Sequence, residues 1–365
     1  MISDWLRSGK ATASITALAP GGEVVVRAVT ERVESATLAG HGETYDVWRL
    51  ELSPGEDDIP TTLGLRVIRR DLATVPRSMG DEFAALLLAP EEVAPRAWAM
   101  SEGTNPPDGE GAERPWMLVS FAPGAVKAPS EWTTGDLTAH ARGLARLHDR
   151  RYPGRGPIRA LIPEREDEAA GGALSSTPTG TMPAALTPLS LVDELEQALA
   201  WWNTHHPEIT GMVGLRALTE QVRRFVAARS ADFEALHCFS LIHGDAVASN
   251  IVFDGERPWY IDWEWAEIGD VAKDLALIGG FAHGGQWYVP MERETIASFV
   301  NAYADAVGID GDERASLHRR RDAWEAFDRL TFVLHCQLKA AEPGADPVYA
   351  DTAESLSRTL GAAML

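Results

Sequence analysis

With 54 acidic against 33 basic side chains in 365 residues, the chain carries a formal net charge of -21. That balance excludes nucleic acid or anionic lipid held by a broad basic surface, while it suits a cationic substrate as well as plain solubility. Hydrophobic residues make up 45% of the chain, enough for a sizeable core, and the length points to two domains or lobes. No apolar run approaches the ~18 residues of a membrane span, and the start MISDWLRSGKATAS lacks the continuous apolar segment of a secretion signal, so a cytoplasmic protein is expected.

In chain order, the first third reads as β-rich. Val24 to Val29, Ala36 to Leu38, Val47 to Leu52 and Leu63 to Arg69 are short runs of β-branched and apolar residues bounded by turn formers, and each is expected to be a strand. Between the second and third lies Gly40-His41-Gly42-Glu43-Thr44-Tyr45. Two glycines in a turn let backbone N–H groups approach a phosphate, although a plain hairpin turn is the simpler account. Arg66 sits among alternating apolar neighbours, and a guanidinium in a half-buried strand needs an anionic partner. A helix beginning near Ser78 offers Asp81 and Glu82, so an Arg66–Glu82 pair is expected; the alternative has Arg66 facing solvent, like Arg69 and Arg70. Ala94 to Met100 and Trp116 to Phe121 are further expected strands, separated by the Gly-, Pro- and charge-rich loop Ser101 to Pro115. Ala122-Pro123-Gly124 closes the segment and sets a boundary between lobes 1–122 and 123–365.

The second segment reads as helices. In Asp136 to Arg150 the positions Leu137, Ala141, Leu144 and His148 recur at helical spacing, and His148 is read as a helix-face residue rather than a ligand. Pro153 to Leu189, rich in Pro, Gly, Ser and Thr, is read as a long loop outside the core. Ser190 can cap a helix running through Trp202, and further helices are expected over Leu215 to Leu236, Glu292 to Val307, Ala315 to Lys339 and Tyr349 to Ala363. Cys238 and Cys336 lack C-x-x-C spacing and read as buried free thiols. Strands first and helices second, with one hairpin embedded among the helices, suggest an α+β, two-lobed enzyme rather than a doubly wound sheet.

Chemistry concentrates in Leu241 to Asp274, LIHGDAVASNIVFDGERPWYIDWEWAEIGDVAKD. Ile251-Val252-Phe253 and Trp259-Tyr260-Ile261 flank the turn Asp254 to Pro258. A symmetric turn would set Phe253 opposite Trp259 and, counting outward, Asn250 opposite Asp262, where an amide oxygen and a carboxylate can share one hard cation. Asp245 then lies on the loop entering the hairpin, placed to accept a proton without being a ligand. One acid as base, with an amide and a second acid for metal, is the arrangement phosphoryl transfer uses. Each residue alone has a duller account: Asp245 as a turn former, Asn250 at the start of a strand, Asp262 as a cap.

The stretch resembles the aminoglycoside phosphotransferase-like (APH/choline kinase) family. His243-Gly244-Asp245 with Asn250 is similar to its HGDxxxxN motif, Ile261-Asp262-Trp263-Glu264 to its IDWE-type segment, and Gly269-Asp270 through Asp274-Leu275-Ala276 to its GDxxxDLA tail. The resemblance implies a bilobal protein-kinase-like fold, with a small β-rich N-terminal lobe and a larger helical C-terminal lobe. It implies phosphorylation of a small-molecule hydroxyl using ATP or GTP with Mg2+. By the same match Asp245 would be the catalytic base, and Asn250 and Asp262 the metal ligands. Arg66 would contact phosphate with Glu82 as its helix partner, beside the Gly40 and Gly42 turn, and Ser120, Phe121 and Ala122 would form the hinge that meets adenine. His243, Asp270 and Asp274 would support the loop. Many members carry Lys where Arg66 stands, and the two long loops match no part of the pattern.

Acceptor choice stays open between antibiotics and amino-alcohol, sugar or amino-acid metabolites. Glu264 and Glu267 beside Trp263 and Trp265 would suit an amine through charge and cation–π contact; equally, the tryptophans pack in the core and the glutamates face water. A non-catalytic nucleotide-binding module on the same fold is the alternative, and the intact Asp245, Asn250 and Asp262 weigh against it. A protein kinase is disfavoured by the lack of an Asp-Phe-Gly sequence.

Overall fold

The computed structural model describes residues 2–56, 58–70, 77–103, 114–158 and 188–364, so most of both expected loops, 104–113 and 159–187, lies outside the described residues. Within them the chain divides into two compact units. One takes Met1–Pro123, Pro157–Thr181 and Ile261–Ala266; the other takes Gly124–Gly156, Met182–Tyr260 and Glu267–Leu365.

The first unit begins with α1 (Ile2–Arg7), α2 (Lys10–Ala13), β1 (Ala17–Leu18) and α3 (Gly22–Arg32). It continues with β2 (Val33–His41), β3 (Tyr45–Leu52), β4 (Thr62–Ile68), α4 (Met79–Leu88), β5 (Ala97–Ser101) and β6 (Trp116–Ser120). The strands form one antiparallel sheet in the order β1-β5-β6-β4-β3-β2, with Arg66 of β4 paired to Val47 on one side and Met117 on the other. Leu50, Leu63, Leu65, Trp98 and Leu118 join Val25, Val26 and Val29 of α3 in its core. That last group corrects an expectation, since Val24 to Val29 is helix, not strand. Its valines at 25, 26 and 29 share one helical face and are buried, while Val24 turns outward at 55% exposure. Packing against the sheet outweighs their preference for extended backbone. Ser78 caps α4 by accepting from the Asp81 amide.

The second unit opens with β7 (Ala125–Val126), α5 (Thr134–Leu147) and β8 (Arg151–Tyr152). Next come α6 (Leu191–His205), α7 (Pro207–Thr210), α8 (Val213–Ala227), α9 (Ser230–Glu234) and β9 (Phe239–Ile242). The hairpin β10 (Ile251–Asp254) and β11 (Arg257–Tyr260) leads to β12 (Glu267–Gly269), α10 (Val271–Leu277), β13 (Gly279–Gly280) and β14 (Val289–Pro290). Three helices close the unit: α11 (Arg293–Val307), α12 (Gly311–Ala340) and α13 (Pro347–Ala363). The helix expected over Leu215 to Leu236 is thus two, α8 and α9, interrupted where Arg229 leaves helical geometry at φ -116° and ψ 7°. Cys336 is buried as expected, whereas Cys238 is exposed, lying just ahead of the buried strand β9.

Two small sheets, β11-β10-β7 and β12-β9-β8, carry the central stretch. Its hairpin has a shorter turn than the sequence suggested: Asp254 pairs with Arg257, Phe253 with Pro258 and Ile251 with Tyr260. Gly255 takes the first turn position at φ 61°, where a two-residue loop demands left-handed backbone. Pro258 fits because β11 is an edge strand. The observed register therefore counts outward from Asn250 to Ile261, not to Asp262. Asn250 also sits off the strand, at the end of a short 3-10 turn.

Candidate functional site

The first unit gathers charge around Arg66. Its Nη1 lies 3.1 Å from Glu82 Oε1 and its Nη2 donates to Asp262 Oδ1 at 2.6 Å. Glu82, on α4, is buried and also accepts from the Trp263 amide at 3.1 Å, so a helix, a strand and the 261–266 segment are bound through two side chains. The Glu82 pairing follows from the sequence; the hold on Asp262 does not. Burial pushes the Glu82 carboxyl up to about 7, with Arg66 opposing and Asp262 and Glu264 adding to the rise. For Arg66 burial works against the charge, but Glu82 and Asp262 more than offset it and hold the guanidinium charged.

Asp262 has a φ of 66°, the one non-glycine residue in left-handed backbone among the described residues. Such a conformation costs about 1–2 kcal/mol, and it turns a 38% exposed carboxylate onto Arg66. The ring of Tyr45 covers Arg66 with the guanidinium carbon 4.3 Å from its centroid. Among the described residues, buried polar atoms remain unpartnered around this pair: Arg66 Nε, Tyr45 Oη, Glu82 Oε2 and Glu264 Oε2. An unpaired guanidinium N–H fits a phosphate oxygen, and unpaired carboxylate oxygens fit a cation.

The other expected nucleotide contacts fall in the same unit. Gly42 closes the β2–β3 turn, its N–H donating to Tyr45 O at 2.9 Å and its carbonyl accepting from Arg69 Nη1 at 2.8 Å. Gly40 is paired in the ladder with Val47. Ser120 ends β6 and donates to the Arg96 carbonyl at 2.8 Å. Phe121 and Ala122 make no backbone hydrogen bond among the described residues, leaving main-chain donors and acceptors for a ligand. Trp263 is 1% exposed, so its ring lies in the core. Trp265 is 38% exposed under the Arg77 guanidinium, and Glu264 is half-buried, with burial raising its pKa.

The second unit builds the loop His243 to Asn250. Asp274 in α10 anchors it by accepting from the His243 amide at 2.7 Å and the Gly244 amide at 2.8 Å. His148 Nε2 lies 3.1 Å from the same carboxylate and its Nδ1 3.0 Å from the Tyr303 hydroxyl. Burial alone would raise the Asp274 pKa, but the His148 hydrogen bond and the charges of His148 and His243 outweigh it, leaving it below the usual range. Asp270 caps α10 through the Ala272 amide and receives Arg320 Nη1 at 2.6 Å and Trp324 Nε1 at 3.0 Å. Asp270 and Asp274 are thus both held by several hydrogen bonds. Their partnership with His148, Arg320 and Trp324 escaped the sequence reading, although His148, at the C-terminal cap of α5, is buried, and a buried polar side chain requires a partner.

Asn250 Nδ2 donates to the Asp245 carboxylate at 2.8 Å and to its carbonyl at 3.0 Å, while the Asp245 amide donates to His243 Nδ1 at 3.3 Å. The amide oxygen of Asn250 keeps no partner among the described residues. Glu267 is engaged by Lys273 at 2.8 Å. No group of three or more His, Cys, Asp or Glu is arranged around a metal position among the described residues. A magnesium site needs no such cage, since Mg2+ keeps waters and phosphate oxygens beside one or two protein oxygens. The amide oxygen of Asn250 and the carboxylate of Asp262 are each of that hard-oxygen kind.

The model of the phosphotransferase enzyme family (APH) matches residues 36–324, well over half of the chain, and the chain belongs to that family. It is a phosphotransferase with an alcohol group as acceptor. No curated protein matches the chain by sequence. Its fold is that of solved APH and choline kinases. A choline/ethanolamine kinase family protein from Mesorhizobium loti aligns with a TM-score of 0.58 at 17% identity, covering 100% of this chain and 95% of that one. A thermostable mutant of aminoglycoside phosphotransferase APH(4)-Ia aligns at 0.55 and 14% identity over 91% and 94% of the two chains. Spectinomycin phosphotransferase APH(9)-Ia, solved with ADP and spectinomycin, aligns at 0.51 and 10% identity over 91% and 94%. No helix among the described residues is long and apolar enough to cross a membrane.

Proposed function

We propose that the chain transfers the γ-phosphate of ATP or GTP to a hydroxyl of a small acceptor, an aminoglycoside-like antibiotic or an amino-alcohol or sugar metabolite. The observation that carries this reading is the Asp245 loop. Asp274 fixes the backbone on one side of Asp245, and Asn250 grips its carboxylate and carbonyl on the other. A carboxylate so oriented is suited to take the proton of an attacking hydroxyl. Residues 1–122 are proposed to hold the nucleotide, with Arg66 and the Gly40–Gly42 turn toward phosphate and Ser120, Phe121 and Ala122 toward the base. Asn250 and Asp262 would hold Mg2+, which when bound neutralises phosphate charge. The left-handed backbone at Asp262 supports a functional demand there, since strain of this kind collects at sites. Glu264 and the exposed Trp265 are candidates for an amine-bearing acceptor.

The test is magnesium-dependent nucleotide turnover across amine, sugar and antibiotic acceptors. Asp245→Asn is expected to lower turnover on the preferred acceptor by roughly 10²–10⁴-fold with nucleotide affinity little changed. Equal turnover in the variant would remove Asp245 from the base role. Tight nucleotide binding with no stimulation by any acceptor would favour a non-catalytic regulatory module.

A further inference from the structure

The second unit contains a cavity that the phosphotransfer reading does not use. It lies among the ends of α8 and α13, the start of α11, the middle of α12 and Phe281, with a volume of about 100 Å³ and a mouth open to solvent. That is below the size of clefts for drug-sized ligands and suits a short-chain molecule. Its walls divide into two kinds. Phe225, Phe281, Ile296 and Leu360 make an apolar side, while Arg229, Arg293 and Arg321 line the same space beside Asp322 and Glu325.

The arginines are unusual for a chain with 54 acids and 33 bases, in which a cation finds a carboxylate easily. Arg229 donates only to the Phe225 carbonyl, at 2.9 Å, and lies 3.5 Å from the Phe225 ring centroid. Arg293, which is exposed, rests 5.3 Å from the Phe281 ring centroid. Neither makes a salt bridge among the described residues. Asp322 and Glu325 also line the cavity, but both are taken by Arg321, which donates as well to the Gly279 carbonyl at 2.6 Å. Even so, Arg321 Nε is buried without a partner among the described residues, as is Arg229 Nε. Burial lowers the Arg229 pKa, outweighing Asp322 and Asp232, whose charges oppose the shift. Buried donors of this kind await an acceptor.

We propose that this cavity binds a small carboxylate with an apolar body, its carboxylate held by Arg229 and Arg293 and its hydrocarbon against Phe225, Phe281 and Leu360. Guanidinium forks match a planar carboxylate with two parallel hydrogen bonds, and the apolar wall offers nothing to a bare inorganic ion.

The experiment is calorimetric titration of the full chain with butyrate, with butanol and inorganic phosphate as controls. Arg321 is unsuitable for substitution because it also secures Gly279 and Glu325. Arg229→Gln and Arg293→Gln leave those bonds intact, and an unchanged thermal midpoint verifies folding. Saturable one-to-one butyrate binding is expected, weakened at least about tenfold by Arg229→Gln, as loss of a charge-assisted hydrogen bond requires. Butanol and phosphate are expected to bind far more weakly. The proposal fails if butyrate does not saturate, if the double variant binds it unchanged, or if phosphate competes as well as butyrate. Binding is read directly, so the result is separate from any failure to find a phosphate acceptor.

Discussion

His140 shows how one side chain ties the stretch Leu241 to Asp274 to the helices beneath it. It is wholly buried on α5, its Nδ1 2.9 Å from the Tyr260 hydroxyl and its ring stacked on Phe299 at 5.5 Å. Burial depresses its pKa from 6.5 to about 3; Asp274 opposes this and His148 and His243 add to it. The unfolded chain therefore binds a proton near pH 6.5 that the folded chain refuses until far lower. Stability from this residue is fully present above pH 6.5 and is lost as pH falls toward 3, at up to about 1.4 kcal/mol per pH unit. His140→Gln, which cannot titrate there, should show a shallower loss over that window in urea unfolding at stepped pH. Parallel curves for the two proteins would mean that His140 is not neutral in the fold. At this scale the sequence was most legible where residues cluster along the chain, as in His243, Asp245, Asn250, Asp270 and Asp274. It was least legible where partners are remote in sequence. Arg66 reaching Asp262, Tyr45 covering Arg66, and Arg320 meeting Asp270 are tertiary facts with no local periodicity to betray them.

Among the elements, the strands of the first unit were readable because alternation and turn formers agree. The two departures had one cause. In α3 three valines suggested a strand, yet a neighbouring apolar sheet face rewarded the helical arrangement that buries Val25, Val26 and Val29 together. In the hairpin, Asp254 to Pro258 looked like a five-residue turn, but pairing of Asp254 with Arg257 shortens it and shifts every facing pair by one. That hairpin is completed by β7, which leans on a glycine. Gly124 has φ 99°, and a Cβ there would fall 1.9 Å from the Phe253 carbonyl oxygen. Gly124→Ala would thus combine backbone strain with a collision against main chain that no rotamer can relieve. Since overpacking alone costs about 1–3 kcal/mol, a loss at or above the upper end is expected in the denaturant midpoint. A neutral result would show that β7 is not held against β10 in solution.

For the whole molecule, the decisive quantity is charge. A net -21 raises the local concentration of cations and lowers that of anions, and a phosphotransferase with an amine-bearing acceptor uses one of each. Salt should then act with opposite signs on the two substrates. Between ~0.01 and ~0.15 M salt the screening length falls from ~30 to ~8 Å. Over that range kcat/KM for a cationic acceptor is expected to fall, while KM for the anionic nucleotide improves and a neutral sugar acceptor responds little. The buried Arg66–Glu82 and Arg320–Asp270 pairs are shielded from solvent ions, so kcat at saturation should stay nearly constant. Steady-state kinetics at stepped ionic strength with paired amine and neutral acceptors makes the comparison. If both acceptors respond alike, the acidic surface serves solubility alone, and acceptor choice must come from local contacts such as those at Glu264 and Trp265.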